Sequence, residues 1–178
     1  SGFVSRTFSR ARNMLFKLMI DACNSDNPSL AVFQPDIAQN LGAMLRLTAC
    51  FGVSINIIEP CGFPFSQKVL RRSAMDYMDF AKINHHTSYK NFREKTPGRV
   101  ILLTTKAKKS IWEYSFENRD TLLVGQESAG VPKYVADDSD YCLKIPIIDR
   151  ARSLNVVTAA AIALAEVLRQ TKSTSDLH

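Results

Sequence analysis

The sequence predicts an α/β domain, a parallel sheet with helices on both faces, and three observations lead there. From Leu30 onward, short apolar or β-branched runs alternate with stretches of helical periodicity, the order expected of β-α-β units. The 178 residues, 46% hydrophobic and 22% charged, suit one globular domain with a sizeable core. Seven Gly and seven Pro exclude low-complexity and collagen-like chains. No apolar run approaches the roughly 20 residues of a membrane-spanning helix, so a soluble protein with no membrane partner is expected.

The first 28 residues read differently from the rest. Arg6, Arg10, Arg12 and Lys17 precede the first acid, Asp21, and are interleaved with Ser5, Ser9, Phe3, Phe8 and Phe16. That is the composition of a transit peptide or a basic amphipathic arm, and equally of an extension with little functional weight. Asn24 to Pro28 is turn-rich and marks a boundary. The expected organisation is an extension over 1–28, one domain over 29–172 and a tail over 173–178.

Within the domain, Leu30–Phe33 is the first strand. Asp36 reads as an N-cap with Gln39 three residues on, and Ile37, Leu41, Met44, Leu45 and Thr48 follow at helical spacing. Gly52 ends that helix and Val53–Ile58 is a buried strand. A helical pattern covers Gln67–Ala74, a strand Asp79–Ile83, and a short helix Tyr89–Lys95 before Pro97-Gly98. Val100–Leu103, Thr121–Val124 and Tyr141–Ile145 are three more strands, and an Ala-rich helix from Asn155 to about Gln170 closes the domain.

A net charge of +6 suits a polyanionic partner, although ordinary solubilising charge explains it equally well. Four scattered cysteines without a C-x-x-C pair form neither a disulfide framework nor a zinc site. A reducing intracellular compartment and no metal are expected. His85-His86 lacks partners at metal spacing and reads as surface.

Three clusters fall at or just beyond strand ends, where open α/β sheets place ligands. The first is Asn40-x-Gly42-Ala43-x-x-Arg46. Gly42 and Arg46 are four apart on a helix face opposite the apolar stripe, with room beside the guanidinium. The second runs from Leu123 to Pro132 through Gly125, Glu127 and Gly130, with Pro132 suited to helix position N1. It is neither G-x-G-x-x-G nor a Lys-Ser/Thr phosphate loop. The third is Ile145-Pro146 followed by Arg150-Ala151-Arg152-Ser153-Leu154-Asn155, where Ser153 or Asn155 caps the last helix. Arg71-Arg72 is a basic step that meets phosphate or is simply solvated.

In this order the clusters resemble the three motifs of the SPOUT superfamily of RNA methyltransferases, over roughly Leu30 to Lys172. Ile57-Ile58-Glu59-Pro60-x-Gly62-Phe63 and Leu70–Tyr77 resemble its minimal TrmL-type subfamily, which methylates the ribose 2′-oxygen of the tRNA wobble nucleotide. The resemblance implies a homodimer with a deep C-terminal trefoil knot and S-adenosylmethionine as cofactor. Leu103, Gly125, Ile145, Ser153 and Leu154 would line the adenosine pocket, with Thr104, Glu127 and Asn155 beside it. Asn40, Arg46 and Glu127 would serve catalysis, and Arg46, Arg71, Arg72 and Arg152 the anticodon stem-loop of tRNA. Such an enzyme is expected in the cytoplasm, or in an organelle if the basic segment directs import. The chain departs from the family at Val157-Thr158, where a small hydroxyl residue commonly follows Asn155, and at Ala165, where the subfamily typically has Tyr.

Two other classes compete. A non-catalytic RNA-binding module of the same fold would have lost Asn40, Arg46, Glu127 or Asn155, and all four are present. A generic Rossmann nucleotide enzyme needs a Gly-rich turn after the first strand, which Gln34-Pro35-Asp36 is not.

Overall fold

The computed structural model describes residues 27–64, 77 and 81–171. The basic segment before Asn27, the helical pattern Gln67–Ala74 with Arg71 and Arg72, and the tail 173–178 lie outside the described residues. Seven strands are described: β1 (Ser29–Phe33), β2 (Ser54–Ile58), β3 (Lys82–His86), β4 (Val100–Leu103), β5 (Lys109–Ser110), β6 (Thr121–Val124) and β7 (Tyr141–Lys144). They pair in parallel in the order β3-β2-β1-β6-β4-β7-β5.

The central strands are buried on both faces, which is why Leu30–Phe33 and Leu122–Val124 read as continuous apolar runs without alternation. On one face lie α1 (Ala38–Phe51) and α4 (Val156–Thr171). Leu41, Met44 and Leu45 of the first meet Leu164, Val167 and Leu168 of the second over Leu30, Val32 and Ile55. On the other lie α2 (Tyr89–Lys95) and α3 (Lys133–Asp138), whose Tyr89, Phe92 and Val135 cover Ala31, Phe33 and Leu123. Each such side chain contributes about 1.5–3 kcal/mol on leaving water.

Gly52 closes α1 at φ 65°, and its N–H donates to the Thr48 and Ala49 carbonyls, the left-handed cap that glycine accepts without strain. The start of α1 differs from expectation. Its N-cap is Ile37, which makes no side-chain cap, and the Asp36 carboxylate is turned elsewhere. Strand β3 is displaced three residues towards His86. His86 is therefore 4% exposed rather than on the surface, with Nε2 2.9 Å from Asn56 Oδ1. Burial, together with the charge of Lys95, lowers its pKa. Helix α3 begins at Lys133, one residue later than expected, with Pro132 as its N-cap. The two-residue β5 and the 3₁₀ turn Ile111–Glu113 escaped the periodicity reading, although Ser110 and Glu113 form a capping box there.

Candidate functional site

A cavity of about 710 Å³ opens where β4, β6 and β7 end, within the range of small-molecule sites. Leu103 and Thr104 line it beyond β4, Gly125 and Glu127 beyond β6, and Ile145 beyond β7. Ser153 and Leu154 line it from the segment that leads into α4. Seven of the residues assigned from the sequence to a cofactor thus share one cavity. Asn155 is not in its wall. Its Oδ1 accepts from the N–H groups of Val157 and Thr158, 2.9 and 3.3 Å away, so it caps α4 and fixes where Leu154 sits.

The wall between β6 and α3 is a tight loop, Gln126 to Gly130, closed by two reciprocal backbone hydrogen bonds of 2.9 Å. Gly125 is required here for a reason other than ligand room. A Cβ on it would lie 2.4 Å from the Gly130 carbonyl carbon and 2.6 Å from its oxygen, so the loop's own backbone excludes a side chain. Gly130 sits at φ 66° and supplies the reversal.

Asp36 holds this loop from outside. Its carboxylate accepts from the Glu127 N–H (3.1 Å), the Ser128 N–H (3.2 Å) and the Ser128 hydroxyl. Burial opposes ionisation of Asp36, but the three donors outweigh it, and its pKa lies below the ordinary value. Gln126 adds a bond from Nε2 to the Gln34 carbonyl. The sequence assigned Asp36 to helix capping. No local spacing signals its hold on the loop, because that partner loop lies about 90 residues away in sequence.

Held in this way, Glu127 joins the clusters. Its Oε2 accepts from Asn40 Nδ2 of α1 at 3.2 Å and from the Val156 N–H at 3.3 Å. A carboxylate at the first turn of α4 also complements the positive end of that helix. Asn40, Glu127 and Asn155 are therefore brought together at one edge of the cavity.

Arg46 lies six residues beyond Asn40, about 9 Å along α1. It is exposed, as expected, whereas Gly42 is buried, so the two do not share an open face. The Arg46 guanidinium lies over the Tyr77 ring, 4.9 Å from its centroid. Arg152 is exposed one residue before Ser153. Thr105 and Lys106, which with Leu103 and Thr104 resemble the family's cofactor-contacting segment, also line the cavity, as does Ala129 of the second cluster; Ile147 and Ala159 line it without having been assigned to it from the sequence. Cys142 also lines the cavity, and burial raises its pKa, so it stays a thiol. Among the described residues, no cluster of His, Cys, Asp and Glu could hold a metal ion.

Residues 27–165 match the model of the SpoU rRNA methylase family. The chain belongs to that family. Over 144 residues it is 49% identical to a tRNA (cytidine(34)-2'-O)-methyltransferase of Beijerinckia indica, a match that covers 79% of this chain and 90% of that one. A solved structure concerned with 2-OH methylation of C/U34 on tRNA is 34% identical. It covers 82% of this chain and 97% of its own, with a TM-score of 0.77. The SpoU methyltransferase AviRb of Streptomyces viridochromogenes, in complex with AdoMet, is 21% identical over 82% of this chain and 61% of that one. Its TM-score of 0.73 shows the shared fold.

The alanines of α4 differ in their surroundings. Ala160 and Ala163 are buried in the chain's own core, Ala159 faces the cavity, and Ala165 is exposed.

Proposed function

We propose that this chain transfers the methyl group of S-adenosylmethionine to the ribose 2′-oxygen of the wobble nucleotide of a tRNA, working as a homodimer. The observation that carries the reading is the Glu127 carboxylate. It ties Asn40 of α1 to the start of α4 at the edge of an apolar cavity, in a chain 49% identical to a tRNA (cytidine(34)-2'-O)-methyltransferase. The cavity's chemistry fits the cofactor. Leu103, Ile145 and Leu154 offer a flat apolar slot for an adenine, and Glu127 and Ser153 offer oxygens to polar groups.

When bound, S-adenosylmethionine supplies a methyl group on a positively charged sulfur. The chain's own task is to align the ribose oxygen with that group and to stabilise charge as the oxygen loses its proton. Arg46 is suited to the second part. A guanidinium stays protonated and has no acceptor, so it does not take the proton. It binds the neighbouring phosphate and stabilises the developing alkoxide, while the proton leaves to phosphate or water. Arg152, and Arg71 and Arg72 from the sequence, serve the RNA backbone.

The dimer rests on α1 and α4, which pack side by side and leave small residues outward, Ala43 and Cys50 on the first and Ala165 on the second. The trefoil knot rests on the close approach of the 126–130 loop to the start of α4, through Glu127 and Val156. The same reading assigns 29–172 to the catalytic domain and places the enzyme in the cytoplasm, or in an organelle if residues 1–28 direct import. Incubation with labelled S-adenosylmethionine and total tRNA, followed by nuclease mapping, tests it. A 2′-O-methyl group at nucleotide 34 is expected, and label confined to another position or absent from tRNA would overturn it.

A further inference from the structure

Among the described residues, Arg93 and Arg99 are held by carboxylates, Arg99 with the Tyr114 and Tyr141 rings beside it, whereas Arg46 meets a ring and no carboxylate. Arg99 donates from Nε and Nη2 to both oxygens of Asp120, each at 2.7 Å, and Nη1 lies 2.9 Å from Glu117. Arg93 pairs with Asp138 at 3.2 Å and Asp140 at 2.8 Å. In both, carboxylates occupy the donor edge and neutralise the charge: Arg93 ties α2 to the end of α3 and the turn before β7, and Arg99 ties together the segments that lead into β4 and β6. Arg46 is different. It is exposed on α1, and among the described residues the Tyr77 ring is what its guanidinium meets.

The distinction is chemical. A guanidinium carries its five N–H donors in its own plane, and an aromatic face attracts the cation through the ring quadrupole. A carboxylate would consume the fork that a phosphate needs. An aromatic ring holds the cation without consuming either its charge or a donor. An exposed arginine held by nothing samples many rotamers, and binding must freeze them. Tyr77 is 31 positions away in sequence and outside α1, so the contact is not one made along Arg46's own helix.

We propose that Tyr77 is a positioning residue for the transfer reaction: its ring face orients the Arg46 guanidinium and leaves the in-plane N–H edges free for an RNA phosphate and the reacting ribose oxygen. This rests on the reading that Arg46 serves the transfer. Tyr77 itself touches neither methyl donor nor ribose in this scheme, in which the ring face holds Arg46.

The test uses the full chain and four variants, Tyr77→Leu, Tyr77→Phe, Arg46→Ala and the double Tyr77→Leu/Arg46→Ala. Methyl transfer to tRNA is followed with labelled S-adenosylmethionine, and cofactor affinity is measured by calorimetry. Tyr77→Leu is expected to lower kcat/KM for tRNA by about three- to thirtyfold, the span of a cation–π contact from exposed to desolvated settings. Its cofactor Kd should remain that of the unmodified chain. Tyr77→Phe should stay within about twofold, because the ring face is kept. In the Arg46→Ala background, Tyr77→Leu should cost less than about twofold more. Wild-type kinetics in Tyr77→Leu would overturn the proposal, as would an equal loss in Tyr77→Phe or the same loss in both backgrounds, which would mean that the ring stacks a base directly. A weakened cofactor Kd in Tyr77→Leu would show a general structural role and overturn it too. Near wild-type turnover of Arg46→Ala alone would instead overturn the reading of Arg46 beneath it.

Discussion

Asp36→Asn offers a sharp perturbation of the cofactor loop without touching the cavity wall. The carboxylate accepts from three donors of Glu127 and Ser128. Asn keeps one acceptor oxygen but turns an NH₂ group towards a backbone N–H and loses the charge. A hydrogen bond to a charged group is worth about 1.5–3 kcal/mol net. Asp36 is only partly buried, so water replaces much of what is lost, and about 1–2 kcal/mol is the reasonable total. Because the loop bears Glu127 and packs its Gly130 against Gly125, that ordering cost passes to ligand binding. S-adenosylmethionine affinity should fall about five- to thirtyfold, and Tm by about 2–8 °C. The pH dependence has a definite sign. The folded-state pKa of Asp36 lies below its ordinary 3.8, so its contribution is present above pH 3.8 and fades as pH falls through the lower folded value. Calorimetry at neutral pH and thermal melts between pH 2 and 7 would measure both. Unchanged cofactor affinity and unchanged Tm in Asp36→Asn would refute the latch.

Gly125→Val should abolish cofactor binding and also lower Tm, because the added Cβ meets the Gly130 backbone and breaks the loop; calorimetry with parallel melts distinguishes this from simple pocket filling, which would leave Tm alone. Arg46→Ala should lose about a hundred- to a thousandfold in methyl transfer, or about 2.7–4 kcal/mol, yet keep cofactor affinity. Arg46→Lys should recover little of that loss, because Lys keeps the charge but not the fork. In sedimentation the chain should run as a dimer at micromolar concentration, and a monomer alone would remove the proposed α1 and α4 contact.

The fold was largely legible because its central strands are short apolar runs punctuated by glycine and helical periodicity. Leu30–Phe33, Val100–Leu103 and Thr121–Val124 stand within a residue of their expected places. Gly52 announced the end of α1 through the one backbone conformation that favours it. The failures share a cause, namely partners remote in sequence. Asp36 has the local spacing of a cap, but three donors more than 90 positions away compete for it and win. His86 is polar by type and buried because Asn56, on the neighbouring strand, accepts it. Gly125 was placed correctly in the cavity wall, but its exclusion by Gly130 is a feature of loop closure that no spacing rule contains. The meeting of Asn40, Glu127 and Val156 depends on strand order, and that order is not written in the local pattern.

The central claim is that the 2′-hydroxyl of nucleotide 34 is the group methylated. Two synthetic anticodon stem-loops that differ by one atom test it most directly, one with ribose at position 34 and one with 2′-deoxyribose there. With labelled S-adenosylmethionine and saturating protein, the ribose form should take up close to one methyl group per molecule and the deoxy form none. Equal incorporation into both would place the methyl group on a base or on another ribose, and would contradict the account.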